Sequence, residues 1–115
     1  MSRIEIVNSD NTKMLAVGYD RVTSVFADVF DLTENEDDDK FLMFRVNNMG
    51  VYLGSDKLSD RETILASRLD SRFEASKNSG NPYPNLAFSD LMEICDAFGF
   101  ILSIETKTKI HDAID

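Results

Sequence analysis

The chain has 115 residues, of which 43% are hydrophobic and 29% are charged, a composition typical of one folded domain. Twenty-one acidic and 12 basic residues give a formal net charge of −9, so the surface on average repels nucleic-acid phosphates. This charge disfavours direct binding of DNA or RNA. A single cysteine, Cys95, excludes an internal disulfide framework, and neither an apolar leader nor a membrane-length apolar stretch is visible. We therefore expect one cytoplasmic domain over residues 1–115, without membrane contact.

The first half, residues 1–56, has the pattern of a β-meander. Short apolar or alternating segments are separated by turn-prone residues, and they lie at 3–7, 13–19, 22–32, 41–46 and 51–53. In the third segment Val25, Ala27 and Val29 would lie on one face of a strand, while Phe26 and Phe30 would lie on the other. Apolar residues on both faces predict a central strand that is covered on both sides.

An acidic run interrupts this pattern between residues 33 and 40. Five carboxylates occur together without an apolar anchor: Glu34, Glu36, Asp37, Asp38 and Asp39. Their mutual repulsion predicts an exposed, mobile loop. The run lacks the glycine and the alternating acids of an EF-hand, which disfavours calcium binding. Two interpretations stay open: a loop that is only solvated, or a loop that imitates phosphate charge toward a basic protein partner.

The second half, residues 57–115, is predicted to be mainly helical. Ser59 and Glu62 have the spacing of a capping box, and apolar residues then recur at helical spacing at Ile64, Leu65, Leu69 and Phe73. Residues 78–85 contain both prolines and should end this helix. A second helix is predicted from about Phe88 to Phe98, with Gly99 at its C-terminus. The apolar segment Phe100–Ile104 predicts a final strand that rejoins the sheet, followed by a polar tail.

Three arginines, Arg61, Arg68 and Arg72, follow one side of the first predicted helix. Together they could bind phosphate or an acidic partner, which makes them a second candidate site. Acidic residues interleave with them along the same helix, so ion pairs within this helix are the default expectation.

No pattern of catalytic or metal-binding residues is present in the sequence. Cys95 lies in the apolar stripe of the second helix, and His111 is the only histidine and lies in the polar tail. The chain also lacks a phosphate-binding glycine loop, a nucleophile elbow and a metalloprotease histidine pair. We therefore expect no metal, no cofactor and no enzymatic activity, with an enzyme of unrecognised type as the remaining alternative.

Two segments resemble known groups of proteins. Residues 16–21 (AVGYDR) and 26–31 (FADVFD) resemble the opening of small uncharacterised bacterial and phage proteins, in which a Gly-aromatic-Asp hairpin precedes a Phe-Ala-x-Val strand. This likeness implies a hairpin and no particular activity. Residues 91–100 (LMEICDAFGF) are similar to the closing helix of phage-repressor helix-turn-helix domains. That likeness implies a transcriptional regulator or an antitoxin, although the two short preceding helices of such domains are not evident here.

These observations predict an α+β domain with a mainly antiparallel sheet of about four to six strands and two helices packed on one face. The leading functional hypothesis is a non-enzymatic acidic binding protein. Its partner would be a protein with a basic, nucleic-acid-binding surface, as for a phage-type, anti-CRISPR-like inhibitor of a host nucleic-acid machine. An exposed strand edge would also allow a homodimer.

Overall fold

A computed structural model of the chain describes residues 2–81 and 84–114. The first half forms a single five-stranded sheet, and each strand pairs antiparallel with the strand that precedes it in the chain. The strands are β1 (Ser2–Val7), β2 (Lys13–Asp20), β3 (Ser24–Asp31), β4 (Leu42–Asn47) and β5 (Gly50–Leu53). The predicted antiparallel sheet is therefore confirmed.

The third strand lies at the centre of the sheet, as its two apolar faces predict, but the prediction that both faces are covered is wrong, because helices pack against only one of them. Val25, Ala27 and Val29 belong to the core, which they share with matching positions of β2 and β4 such as Val17 and Phe44. We call this the core face, and the opposite side, which the helices do not cover, the open face. Phe26 is only 7% exposed although it lies on the open face, because neighbouring side chains of the sheet surround it.

Three helices cover the core face rather than the predicted two. They are α1 (Asp60–Asn78), α2 (Phe88–Ala97) and α3 (Ile104–Ile114). The predicted capping box is confirmed, since the Ser59 hydroxyl accepts a hydrogen bond from the Glu62 N–H at 3.2 Å and Glu62 Oε1 accepts one from the Ser59 N–H at 2.9 Å. Pro82 and Tyr83, part of the predicted break after the first helix, lie outside the described residues.

The predicted final strand at Phe100–Ile104 is wrong. Gly99 has a φ of +81° and ends α2, after which residues 100–103 form a connection without regular structure. Ser103 then begins α3, because its hydroxyl accepts a hydrogen bond from the Thr106 N–H at 3.1 Å. Phe100 is buried, but Ile101 is 91% exposed, so this apolar segment does not have the burial of a strand in the sheet.

The prediction is also wrong for one residue of the apolar stripe of α1, which is exposed rather than buried. Leu65, Leu69 and Phe73 pack into the core as expected, whereas Ile64 is 68% exposed. Ile64 borders a shallow groove between α1 and α2, where charged side chains and Ala97 are its neighbours. The buried stripe of α1 therefore begins at Glu62 and Leu65.

Candidate functional site

The acidic run forms a sequence of tight turns at one end of the sheet. Asp31 is buried, and its Oδ1 accepts hydrogen bonds from the Thr33 N–H at 2.9 Å and from the Thr33 hydroxyl at 2.6 Å. Asn35 Oδ1 then accepts from the Asp37 N–H, and Asp38 Oδ1 accepts from the Lys40 N–H. Such side-chain to backbone bonds fix turns locally, so the run has a defined backbone course despite its charge.

The five predicted carboxylates of this run differ in their surroundings. Glu34 is half-buried and pairs with Lys57 at 2.7 Å, which ties the run to the segment before α1. Asp38 is exposed, but it also holds a turn. Glu36, Asp37 and Asp39 are exposed, and within the described residues their carboxylates have no cationic partner. These three are the carboxylates that are free to contact another molecule.

Ion pairs compensate most charges elsewhere in the protein. Among residues 2–81 and 84–114, ten of the 12 lysines and arginines lie within 4 Å of an acidic partner, each with a different one, and Arg21 and Lys107 have none in this part of the chain. The net charge of −9 therefore resides in acids without such a partner. In the described part of the chain, Glu36 to Asp39 are the only four consecutive acids of this kind. We call these four residues the acidic loop tip.

The three arginines of α1 do not pair within their own helix, which corrects the default expectation. Each one pairs with an acid of α2, in the combinations Arg61–Asp96, Arg68–Glu93 and Arg72–Asp90. The order of the partners is reversed along the chain because the two helices run antiparallel. The arginines thus join two helices, and their guanidinium groups are already engaged by carboxylates.

The Arg72–Asp90 pair is the most buried of these three ion pairs between α1 and α2. Asp90 is 9% exposed in its side chain and accepts two hydrogen bonds from Arg72, at 2.8 and 2.9 Å, and one from the Ala87 N–H at 2.8 Å. Burial by itself raises the pKa of Asp90, but the hydrogen bonds from Arg72 and Ala87 outweigh it and lower the pKa below its ordinary value. This arrangement accounts for the arginine cluster as structure, without requiring a ligand.

A concave cleft on the open face was not anticipated from the sequence. It has a volume of about 530 Å³ and lies between the middle of the sheet and the β4–β5 turn. Its walls combine apolar and charged side chains, among them Arg3, Phe26, Arg45, Met49 and Tyr52. The volume is within the range of small-molecule sites in proteins.

An ion pair on β3 and β4 forms the polar wall of this cleft. Asp28 is buried, and it accepts hydrogen bonds from Arg45 Nε at 2.9 Å and from Arg45 Nη2 at 3.2 Å. The hydrogen bond to Asp28 raises the pKa of Arg45 above its ordinary value, so the guanidinium stays charged. An aspartate inside an otherwise apolar strand was the sequence signal that could have indicated this feature.

The two remaining reactive side chains singled out from the sequence, Cys95 and His111, both pack against other residues of the fold. Cys95 is buried, and burial raises the pKa of its thiol to about 11, which leaves it protonated at neutral pH. His111 packs edge-on against Phe88, with ring centroids 5.2 Å apart. Among residues 2–81 and 84–114, no three metal-binding side chains come together, and no helix has the length and apolarity that a membrane crossing requires.

Comparisons with known proteins found no match to a family, to a curated protein or to a solved structure.

Proposed function

We propose that this protein is a non-enzymatic binding module that docks to a basic protein surface through its acidic loop tip. The observation that carries the proposal is the distribution of charge. Nearly every base has an acidic partner, whereas four consecutive carboxylates at an exposed turn have none among the described residues. Uncompensated charge concentrated in one place attracts and orients an oppositely charged partner more strongly than the same charge spread over a surface.

The geometry of the loop supports this proposal. The turns at Asp31, Asn35 and Asp38 fix the backbone before any partner arrives, so little conformational entropy is lost on binding. The row of carboxylates can meet several lysines or arginines at once, as nucleic-acid phosphates do. The partner that best matches this loop is therefore a protein surface that ordinarily binds nucleic acid. The function we propose is inhibition of such a surface, as by an anti-CRISPR-like phage protein.

Direct binding of DNA through α2 is less well supported. The exposed residues near the centre and end of this helix include Glu93 and Asp96, and the arginines beside them, Arg68 and Arg61 of α1, are already paired with these two acids. A recognition helix that carries these acids would place negative charge against the phosphate backbone.

Two variants with the same change in charge test the proposal. The loop variant carries Glu36→Gln, Asp37→Asn and Asp39→Asn. The helix variant carries Asp70→Asn, Glu74→Gln and Asp112→Asn, which neutralise exposed acids of α1 and α3. Of these three, only Glu74 has a cationic partner among the described residues, Lys77 at 3.9 Å, and an ion pair this exposed contributes little to stability. Both variants become less negative by three charges, so any difference between them reports on position.

The experiment is affinity capture from a lysate of the native host, with wild type, loop variant and helix variant compared at low and high salt. We expect wild type and the helix variant to retain the same basic, nucleic-acid-binding protein at low salt, and the loop variant to lose it. Retention of the same protein by all three would contradict the proposal.

A further inference from the structure

The open-face cleft contains hydrogen-bond donors that the fold holds in place without using them. A guanidinium has five N–H donors, and Asp28 accepts from only two of those on Arg45. The bidentate contact fixes the plane of the guanidinium, and the Arg45 side chain is 45% exposed. Its remaining N–H groups can therefore reach a molecule in the cleft without disturbing the pair with Asp28.

The apolar part of the cleft lies beside this guanidinium. Phe26 and Val51 contribute buried or half-buried apolar surface, and Tyr52 follows Val51 on β5. Met49 is 64% exposed in the β4–β5 turn and lines the same cleft. A hydrophobic or aromatic group placed here would lose water contact on one side and gain the polarizable Met49 side chain as a neighbour.

The charges that line the cleft limit the ligand to one negative group. The two arginines of the lining, Arg3 and Arg45, equal in number its two acids, Asp20 and Asp28, so the lining has no net charge. Arg3 pairs with Glu5 at 3.1 Å. Asp20 is itself engaged, because its Oδ1 accepts a hydrogen bond from the Val22 N–H at 2.8 Å. With no net positive charge, the cleft attracts an anion only through directed hydrogen bonds, which excludes polyanions such as nucleic acid.

We propose that the open-face cleft binds a small organic carboxylate with an aromatic or aliphatic body, whose carboxylate accepts hydrogen bonds from Arg45 and whose body packs against Phe26 and Met49. The planar guanidinium matches the geometry of a carboxylate. This site is at the opposite end of the sheet from the acidic loop tip, so it is independent of the proposed docking function.

Amide chemical-shift titration of the full chain tests this proposal. The probes are N-acetylphenylalanine, which has both the carboxylate and the aromatic body, its uncharged amide, and acetate, which lacks the body. We expect saturable shifts confined to residues 24–28 and 45–52 for N-acetylphenylalanine, and binding weaker by about tenfold for each of the other two probes. Equal binding of the acid and its amide, shifts centred elsewhere, or no saturable shifts would overturn the proposal.

Matched variants locate the interaction. Arg45→Gln should weaken binding of N-acetylphenylalanine by about tenfold, whereas Lys107→Gln, which removes the same charge from α3, should leave it unchanged. Because Arg45→Gln leaves the buried Asp28 unpaired, Met49→Ala serves as a second variant at an exposed position that folding does not need. It should weaken binding by about fivefold. Unchanged affinity in Met49→Ala would place the ligand outside this cleft.

Discussion

Replacing Asp90 by asparagine should destabilise the protein far more than the same replacement at Asp96. Both carboxylates belong to α2 and both pair with an arginine of α1, but the Asp90 side chain is 9% exposed and the Asp96 side chain is 72% exposed. Asp90 accepts three hydrogen bonds, one of them from Ala87, the residue that precedes its own helix. Charged hydrogen bonds at a buried site contribute about 1.5–3 kcal/mol, so we expect Asp90→Asn to cost about 2 kcal/mol. An exposed pair contributes about 0–1 kcal/mol, so Asp96→Asn should cost less than about 0.5 kcal/mol.

Urea unfolding at neutral and acidic pH measures both effects. The pKa of Asp90 is lowered in the folded protein, so the stabilisation that its carboxylate provides is present above the unfolded-state pKa of roughly 3.9. This stabilisation is lost as the pH falls through the lower, folded-state pKa. The difference in unfolding free energy between wild type and Asp90→Asn should therefore shrink as the pH is lowered from 7 toward roughly 3. Equal costs at Asp90 and Asp96, or a difference that does not change with pH, would refute this reasoning.

Two further variants and one thiol-labelling experiment test the fold. Ser59→Ala should lower the unfolding free energy by about 1 kcal/mol in urea melts, because it removes the capping hydroxyl of α1, and no loss would refute this cap. Phe26→Ala should cost roughly 3–5 kcal/mol by the same assay, and a loss below about 1 kcal/mol would contradict its burial on the open face. Cys95 should react with a thiol reagent only as fast as the protein unfolds, since its thiol is buried with a pKa of about 11; rapid labelling of the native protein would contradict this.

The β-sheet could be predicted from the sequence because its signals are local. Alternating apolar residues and short turns define the meander, and each strand pairs with its neighbour in the chain. The first two helices were predictable for the same reason, from the capping box at Ser59 and the apolar stripe that ends at Gly99. Here local pattern and final fold agree.

The end of the chain shows where local pattern fails. Phe100 to Ile104 is apolar and rich in β-branched residues, which favours a strand by composition, yet Ile101 and Ile104 are exposed. A helix begins there instead, and its first turn is capped by the Ser103 hydroxyl, which accepts a hydrogen bond from the Thr106 N–H. In the sequence this cap is a weaker signal than the apolar run. Ile110 then buries α3 against the core, a contact that depends on the whole tertiary structure.

The sequence reveals the acidic run, the arginine cluster and the cleft to different degrees. The acidic run stands out in the sequence, but which of its carboxylates is free depends on tertiary contacts such as Glu34 with Lys57. The partners of Arg61, Arg68 and Arg72 could not be predicted, because sequence spacing does not reveal which helix packs alongside α1. The cleft was invisible because it forms where several strands meet and one face of the sheet is left without helices.

The affinity of the captured partner for wild type, loop variant and helix variant, measured over a range of salt concentrations, tests the central claim most directly. Both variants should keep the unfolding free energy of wild type within about 0.5 kcal/mol, since the replaced acids are exposed. We predict that salt weakens wild type and the helix variant steeply, while the loop variant binds more weakly at low salt and responds less to salt. Equal affinities of wild type and the loop variant at every salt concentration would contradict the role assigned to the acidic loop tip.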